Sequence, residues 1–233
     1  MKLKAATTIF AIIATACIVA ALSSATITQQ ESSETTQPSI VLSPEVPNSV
    51  AFAGEEIMLT TQDRRERMDR EMLAFSYSHI NTILQIKRAN RLFPIIEPIL
   101  KECGVPDDLK YLMIIESNGD KEAISPAKAG GLWQFLESTG REYGLEVNKE
   151  VDERFHIEKA TRAACEYLLE SYRIYKDWLT VAASYNTGRG NVAKRINGQK
   201  ETKAINLKLL PETSRYIFRL MAVKNIFSCP ARY

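Results

Sequence analysis

The chain has 233 residues, with 30 basic and 28 acidic side chains and a formal net charge of +2. That length allows one domain of ordinary size plus extensions. The balance of charge excludes a nucleic-acid binder that depends on a basic footprint. Its two histidines, His79 and His156, lie far apart, which argues against a His-based nucleophilic triad or a zinc site; no metal and no cofactor are expected.

Lys2 and Lys4 precede an uncharged apolar run from Ala5 to Leu22, followed by Ser23-Ser24-Ala25. This is the anatomy of a signal peptide over residues 1–25. An uncleaved membrane anchor is the second reading, because the run is near the lower length limit for a span. A lipid-attachment box at Ala14-Thr15-Ala16-Cys17 ranks third. Each of the three places the folded part outside the cytoplasm. Removal of the segment leaves 28 bases against 28 acids.

Residues 26–60 read as a disordered tether: up to about residue 48 they are too rich in Ser, Thr, Gln, Glu and Pro to bury a core. A short extended piece is expected at Val50 to Leu59. A helical extension follows over 61–91, charged at Gln62 to Arg67, with Met68, Met72, Phe75, Ile80, Ile83 and Leu84 as a loose apolar face. Pro94 opens the next predicted helix and Gly104 ends it. Pro106 takes a favoured first-turn position in another, with Asp107 and Asp108 suited to its dipole. Ala160, Ala164, Cys165, Leu168 and Tyr172 predict a helix from Ile157 to Tyr175. Trp178 to Tyr185 predicts one more, with a short helix after Gly190. Leu209-Leu210-Pro211-Glu212-Thr213 opens the last, which carries Tyr216, Ile217, Leu220 and Met221. Sustained polar/β-branched alternation and fixed-period repeats are missing from the sequence. The fold class is all-α, with a small irregular or β element near Glu146 to Phe155. Of the cysteines that outlast cleavage, Cys165 reads as a buried small hydrophobe, and Cys103 with Cys229 is the pair left to consider.

The chemistry centres on Glu116. Leu109, Leu112 and Met113 share its helical face, and a carboxylate on an apolar stripe is disfavoured when charged. Asn118-Gly119 is a helix stop, so the negative end of the helix dipole lies beside it. Both effects raise its pKa, as a general acid at neutral pH requires. Most glycosidases use a second carboxylate; Asp120, Glu122, Asp152, Glu153 and Glu158 are candidates, and none is marked out. Gly130-Gly131 permits a close approach to another segment or to a ligand. Gln134 offers amide groups suited to sugar hydroxyls, while Trp133 and Phe135 divide between sugar stacking and core packing. Ser184-Tyr185-Asn186-Thr187-Gly188 ends an apolar helix at a turn. The string Gly188-Arg189-Gly190 with Ala193 matches a dinucleotide fingerprint, but it follows no strand.

Taken in order, these strings resemble the soluble lytic transglycosylase family and, within it, the membrane-bound type D branch. The matching pieces run from Gly104-Val105-Pro106-Asp107-Asp108 through Ile115-Glu116-Ser117, Ser125-Pro126-Ala127, Gly131-Leu132-Trp133-Gln134-Phe135 and Ser138-Thr139-Gly140. They continue through Val151-Asp152-Glu153-Arg154, Lys159-Ala160-Thr161-Arg162 and Ser184-Tyr185-Asn186-Thr187-Gly188 to Glu212-Thr213-Ser214-Arg215-Tyr216. Lys128, Leu136-Glu137 and Thr187 depart from the usual pattern. The resemblance implies a lysozyme-like catalytic domain over 92–228. It implies cleavage of the β-1,4 bond between N-acetylmuramic acid and N-acetylglucosamine, with a 1,6-anhydro ring formed in place of hydrolysis. Glu116 would be the catalytic acid and then base, and the substrate's acetamido group would take the place of a second carboxylate. Ser117, Ser125, Gln134, Tyr185, Asn186 and Tyr216 would orient the acid or hold the sugars. Peptidoglycan glycan strands are the expected partner, with membrane association through the N-terminus. The cell-wall-binding LysM repeats common downstream in the type D branch are not found in this sequence. A hydrolytic muramidase on the same fold, and a non-catalytic peptidoglycan-binding protein, are the alternatives.

Overall fold

The computed structural model describes residues 44–229. The predicted signal or anchor segment and most of the predicted tether lie outside the described residues. From Ser49 the chain forms a two-stranded antiparallel hairpin, β1 (Ser49–Phe52) and β2 (Glu55–Met58), with Val50 opposite Ile57. Ala53 and Gly54 turn it with φ of 51° and 86°, the paired positive values that suit a tight two-residue turn. The hairpin thus falls inside the stretch expected to be a tether, and it is ordered for a physical reason. Val50, Phe52, Ile57 and Leu59 are buried in the same core as the helices. Ala53 N–H donates to Asp108 Oδ2 at 2.7 Å, and Lys224 Nζ donates to the same carboxylate at 2.5 Å.

Helix α1 (Gln62–Ser76) starts at Thr61, whose hydroxyl accepts from Arg64 N–H. It buries Met68 and Met72 completely, each contributing about 1.5–3 kcal/mol by removal from water. The helical run predicted to reach Arg91 breaks earlier, at Tyr77-Ser78, and α2 (His79–Cys103) then continues straight through Pro94 and Pro98. A proline inside a helix frees the carbonyl four residues back. Here Asn90, Pro94 and Pro98 are all exposed, so those carbonyls face water. Gly104, at φ 75°, ends α2 as predicted.

A 3-10 turn (Asp107–Tyr111) leads into the short α3 (Leu112–Ser117). After a loop come α4 (Glu137–Glu142) and a second 3-10 turn, Glu153–Phe155, beside an isolated bridge between Val147 and Asp152. Helices α5 (Ile157–Tyr175), α6 (Trp178–Thr187), α7 (Arg189–Gln199) and α8 (Pro211–Ser228) complete the described chain. His156 Nδ1 caps α5, and Asp177 caps α6 by accepting from Thr180 N–H at 2.7 Å. The fold is therefore helical, as expected, with the hairpin as an addition. Helix α8 runs along α1 and also touches α3 and α6, so it connects the extension to the centre of the domain.

Gly131 explains one predicted close approach. At φ 75°, a Cβ there would lie 1.9 Å from the Arg154 carbonyl oxygen. The partner of the glycine pair is another chain segment. Cys165 is buried beside Cys103, and burial pushes its thiol upward. Cys229 is exposed at the end of α8, and the three thiols are unbridged. Cys103 thus has Cys165 as its neighbour, where the sequence had left Cys229 to consider.

Candidate active site

Helix α3 is short because both its ends are fixed. The 3-10 turn delivers Leu109 into the core, and Leu112, Met113 and Ile114 follow it to complete burial. Asn118 closes the helix in the left-handed region at φ 55°, with its N–H on the Ile114 carbonyl. Helix α2 holds this stop: Gln85 Nε2 donates to Asn118 Oδ1 at 2.9 Å, and Arg88 donates to the Asn118 carbonyl at 3.1 Å. Glu116 consequently sits two residues from a pinned helix end, where the apolar face meets an open cleft.

That cleft has a volume of about 420 Å³ and is lined by Ile115, Glu116, Asn186, Glu212, Arg215, Tyr216 and Arg219, with Pro211 at its edge. Tyr216 comes from α8, and its hydroxyl donates to Glu116 Oε1 at 2.5 Å. Desolvation pushes the Glu116 carboxyl up to about 7, opposed by the Tyr216 hydrogen bond and assisted by the Glu212 charge. Tyr216 itself is held well above the usual phenol range by burial and by the Glu116 charge. It therefore remains a donor at any physiological pH. Tyr185 is raised in the same way; its hydroxyl donates to the Trp133 carbonyl at 2.6 Å, and its ring meets that of Tyr167 edge-on at 5.2 Å.

The structure brings Glu116, Asn186 and Tyr216 to one cleft, with Tyr185 near enough to feel the Glu116 charge. The polar groups of Ser117, Ser125 and Gln134 are engaged with backbone instead. Ser117 Oγ donates to the Met113 carbonyl at 2.8 Å, and Ser125 Oγ accepts from Ala129 N–H at 3.0 Å. Gln134, at φ 51°, donates to the carbonyls of Gly131 and Ala123. Ser117 thus bonds within α3, while Ser125 and Gln134 shape the loop after it. Trp133 and Phe135 are both core residues, and Trp133 Nε1 donates to Thr161 Oγ1 at 2.9 Å.

None of the second-acid candidates lines the cleft. Asp120 is paired with Arg88 at 3.0 Å, Asp152 with Arg154 at 2.6 Å, and Glu153 with Lys159. Glu158 is exposed on α5. The second carboxylate in the cleft is Glu212, which the sequence reading left without a role. Helical spacing around Tyr216 would have found it, together with Arg215 and Arg219, because all lie within one turn of that tyrosine.

The position of Tyr216 can be tested through pH. Loss of its hydroxyl removes the interaction that favours the carboxylate, so Glu116 should hold its proton to higher pH. In Tyr216→Phe the basic limb of the pH–rate profile is expected to move upward, with turnover at pH 6 about tenfold lower from lost orientation. An unmoved limb would place the tyrosine outside the proton chemistry.

Residues 93–208 match the Transglycosylase SLT domain. Membrane-bound lytic murein transglycosylase D of Escherichia coli, from strain K12 and equally from strain CFT073, is 34% identical over 191 residues. That alignment covers 78% of this chain and 41% of the relative, so the chain spans about two-fifths of the length of these relatives. An inactive mutant of the lytic transglycosylase Slt from Pseudomonas aeruginosa superposes with a TM-score of 0.49 at 17% identity, over 59% of this chain and 24% of that one. The order of motifs, the helical fold around Glu116 and the match over 93–208 lead to one assignment: the chain belongs to the Transglycosylase SLT domain family.

Proposed function

We propose that the protein is an exported peptidoglycan lytic transglycosylase acting in the cell envelope. It cleaves the β-1,4 bond between N-acetylmuramic acid and N-acetylglucosamine and leaves 1,6-anhydromuramic acid ends. The observation that carries this reading is the Glu116 carboxyl, poised near neutrality in an open cleft and held by a single phenol. At pH 7 a carboxyl titrating near 7 is present in both forms, which suits a group that must donate one proton and accept another.

Protonated Glu116 donates to the glycosidic oxygen as the bond to the muramyl anomeric carbon breaks. The resulting carboxylate then takes the proton of the muramyl 6-hydroxyl, whose oxygen closes the anhydro ring. The proton count returns to its start, and no water enters the product. Between the two steps the cationic anomeric carbon is stabilised by the substrate's own acetamido oxygen. Tyr216 holds the Glu116 carboxyl in one orientation throughout, and Asn186 on the cleft wall offers amide groups to the sugars.

Glu212 gives the hydrolytic alternative a specific footing, because it places a second carboxylate in the cleft. The products separate the two. Digestion of purified sacculi followed by mass spectrometry should yield soluble muropeptides ending in 1,6-anhydromuramic acid. Reducing muramic acid ends alone would make the protein a hydrolase.

A further inference from the structure

Beside the catalytic cleft lies a second pocket of about 330 Å³, lined by Arg67, Arg70, Lys208, Leu209, Pro211, Ser214 and Arg215. It shares Pro211 and Arg215 with the cleft that holds Glu116. Four of its lining side chains are cationic, and no acid lines it. Of the nearby carboxylates, Glu212 lines the adjoining cleft, and two others are already engaged. Asp63 meets Arg67 at 3.1 Å. Glu71, fully buried, is shared by Arg70 at 3.0 Å, Arg215 at 3.0 Å and Arg219 at 3.4 Å. One carboxylate cannot neutralise three guanidiniums. Lys208 is exposed, and its ammonium has no partner among the described residues. The pocket therefore carries an excess of positive charge. Glu71 holds the guanidiniums of Arg70 and Arg215 through Nε, while Asp63 and Ser214 hold that of Arg67, so planar donors suited to a carboxylate are kept in place.

We infer that this pocket binds a carboxylate of the peptide stem that muramic acid carries, while the glycan strand occupies the adjoining cleft. The inference rests on the proposed action on peptidoglycan. Sugars in the strand are neutral apart from their substituents, so a cationic pocket has nothing to recognise in bare glycan. The stem, linked through the lactyl group of the muramyl ring, ends in free carboxylates and leaves the strand sideways. Pro211, at the first turn of α8, and Arg215 form the ridge over which it would pass. Two of the four cations come from α1, outside the matched domain, so the extension supplies specificity that the core domain lacks.

The test compares peptide-bearing glycan with the same glycan stripped of its stems by an amidase. The parent protein is expected to favour the peptide-bearing form about tenfold in kcat/KM, the scale of one or two charge-assisted hydrogen bonds. In Arg70→Gln/Lys208→Gln that ratio should fall to near one, and in Lys208→Gln, which disturbs no other side chain, to about threefold. High salt should reduce the parent's ratio in the same direction. Calorimetry with a disaccharide tetrapeptide and with the peptide-free disaccharide gives a reading without turnover. Peptide-dependent binding that weakens in the double variant would uphold the pocket even if the products proved hydrolytic. A parental ratio near one, equal binding of both ligands, or an unchanged ratio in both variants would overturn it.

Discussion

Glu116→Gln is expected to abolish turnover while raising stability. The amide nearly matches the carboxyl in size, and its oxygen still accepts from Tyr216, so packing around Leu112 and Met113 survives. It can neither donate the proton to the leaving oxygen nor take one from the 6-hydroxyl. General acid–base help is worth about 10²–10⁴-fold, and one group serves both steps here, so the loss should reach at least the upper end. The stability effect follows from the raised pKa. Because folding lifts the carboxyl from an ordinary 4.5 to about 7, the folded state binds more protons between those values. The contribution of this group to stability is therefore greatest below pH 4.5 and is lost as pH rises through 7. Replacing the acid by a neutral amide should recover up to about 3 kcal/mol at pH 8, less where cleft water screens the charge, and almost nothing at pH 4. Thermal melts at the two pH values read this difference directly. The informative control is Glu212→Gln: with a single working acid it keeps most of its turnover, and its lost charge lowers the Glu116 pKa and pulls the basic limb downward. Near-parental muropeptide release by Glu116→Gln would end the mechanism. A folded but inactive Glu212→Gln would restore the two-carboxylate route.

Glu71→Gln is expected to weaken both the fold and the reaction. The carboxylate is fully buried between α1 and α8 and accepts from Arg70, Arg215 and Arg219. A glutamine there offers one acceptor and turns an amide donor toward guanidiniums that already donate. Breaking a buried ion pair typically costs 3–5 kcal/mol. Here the arginines are 39–52% exposed and can turn to water, so about 2 kcal/mol is the better figure. For a domain of this size that is a fall of about 5 °C in Tm. The same change frees the face of α8 next to Tyr216, so kcat should drop about tenfold even though no group in contact with Glu116 is altered. A variant that melts and turns over like the parent would show that α1 does not steady the cleft.

Local patterns in the sequence located some parts of this molecule and missed others. The 3.6-residue spacing of Ala160, Ala164, Cys165 and Leu168 defined α5 to its ends, because that helix lies on the core along one continuous face. Glu116 was legible because an acid on the stripe of Leu109, Leu112 and Met113 has no structural reason to be there. The break at Ser78 was not legible, since the polar and apolar residues on either side of it keep similar spacing. Nor was the passage of α2 through Pro94 and Pro98, which depends on those prolines facing water. Ser117, Ser125 and Gln134 carry hydrogen-bonding groups suited to sugars, but backbone partners within the same helix or loop engage those groups, a competition that residue type alone does not reveal. Glu212 was not legible because its neighbour in space, Glu116, is 96 residues away on another helix.

The core has one further consequence, for where this molecule can be cut. Phe52, Leu59, Met68, Met72, Phe218, Leu220 and Met221 are all nearly or fully buried, yet none lies between residues 93 and 208. They join Trp133, Leu112 and Val181 in one continuous interior. The stretch that the family model matches, residues 93–208, is thus smaller than the stretch that shares one core. A fragment trimmed to residues 93–208 would lose Tyr216 and expose most of one side of its own interior. Transplanting the catalytic helix into another protein would therefore mean carrying the hairpin and both flanking helices along with it.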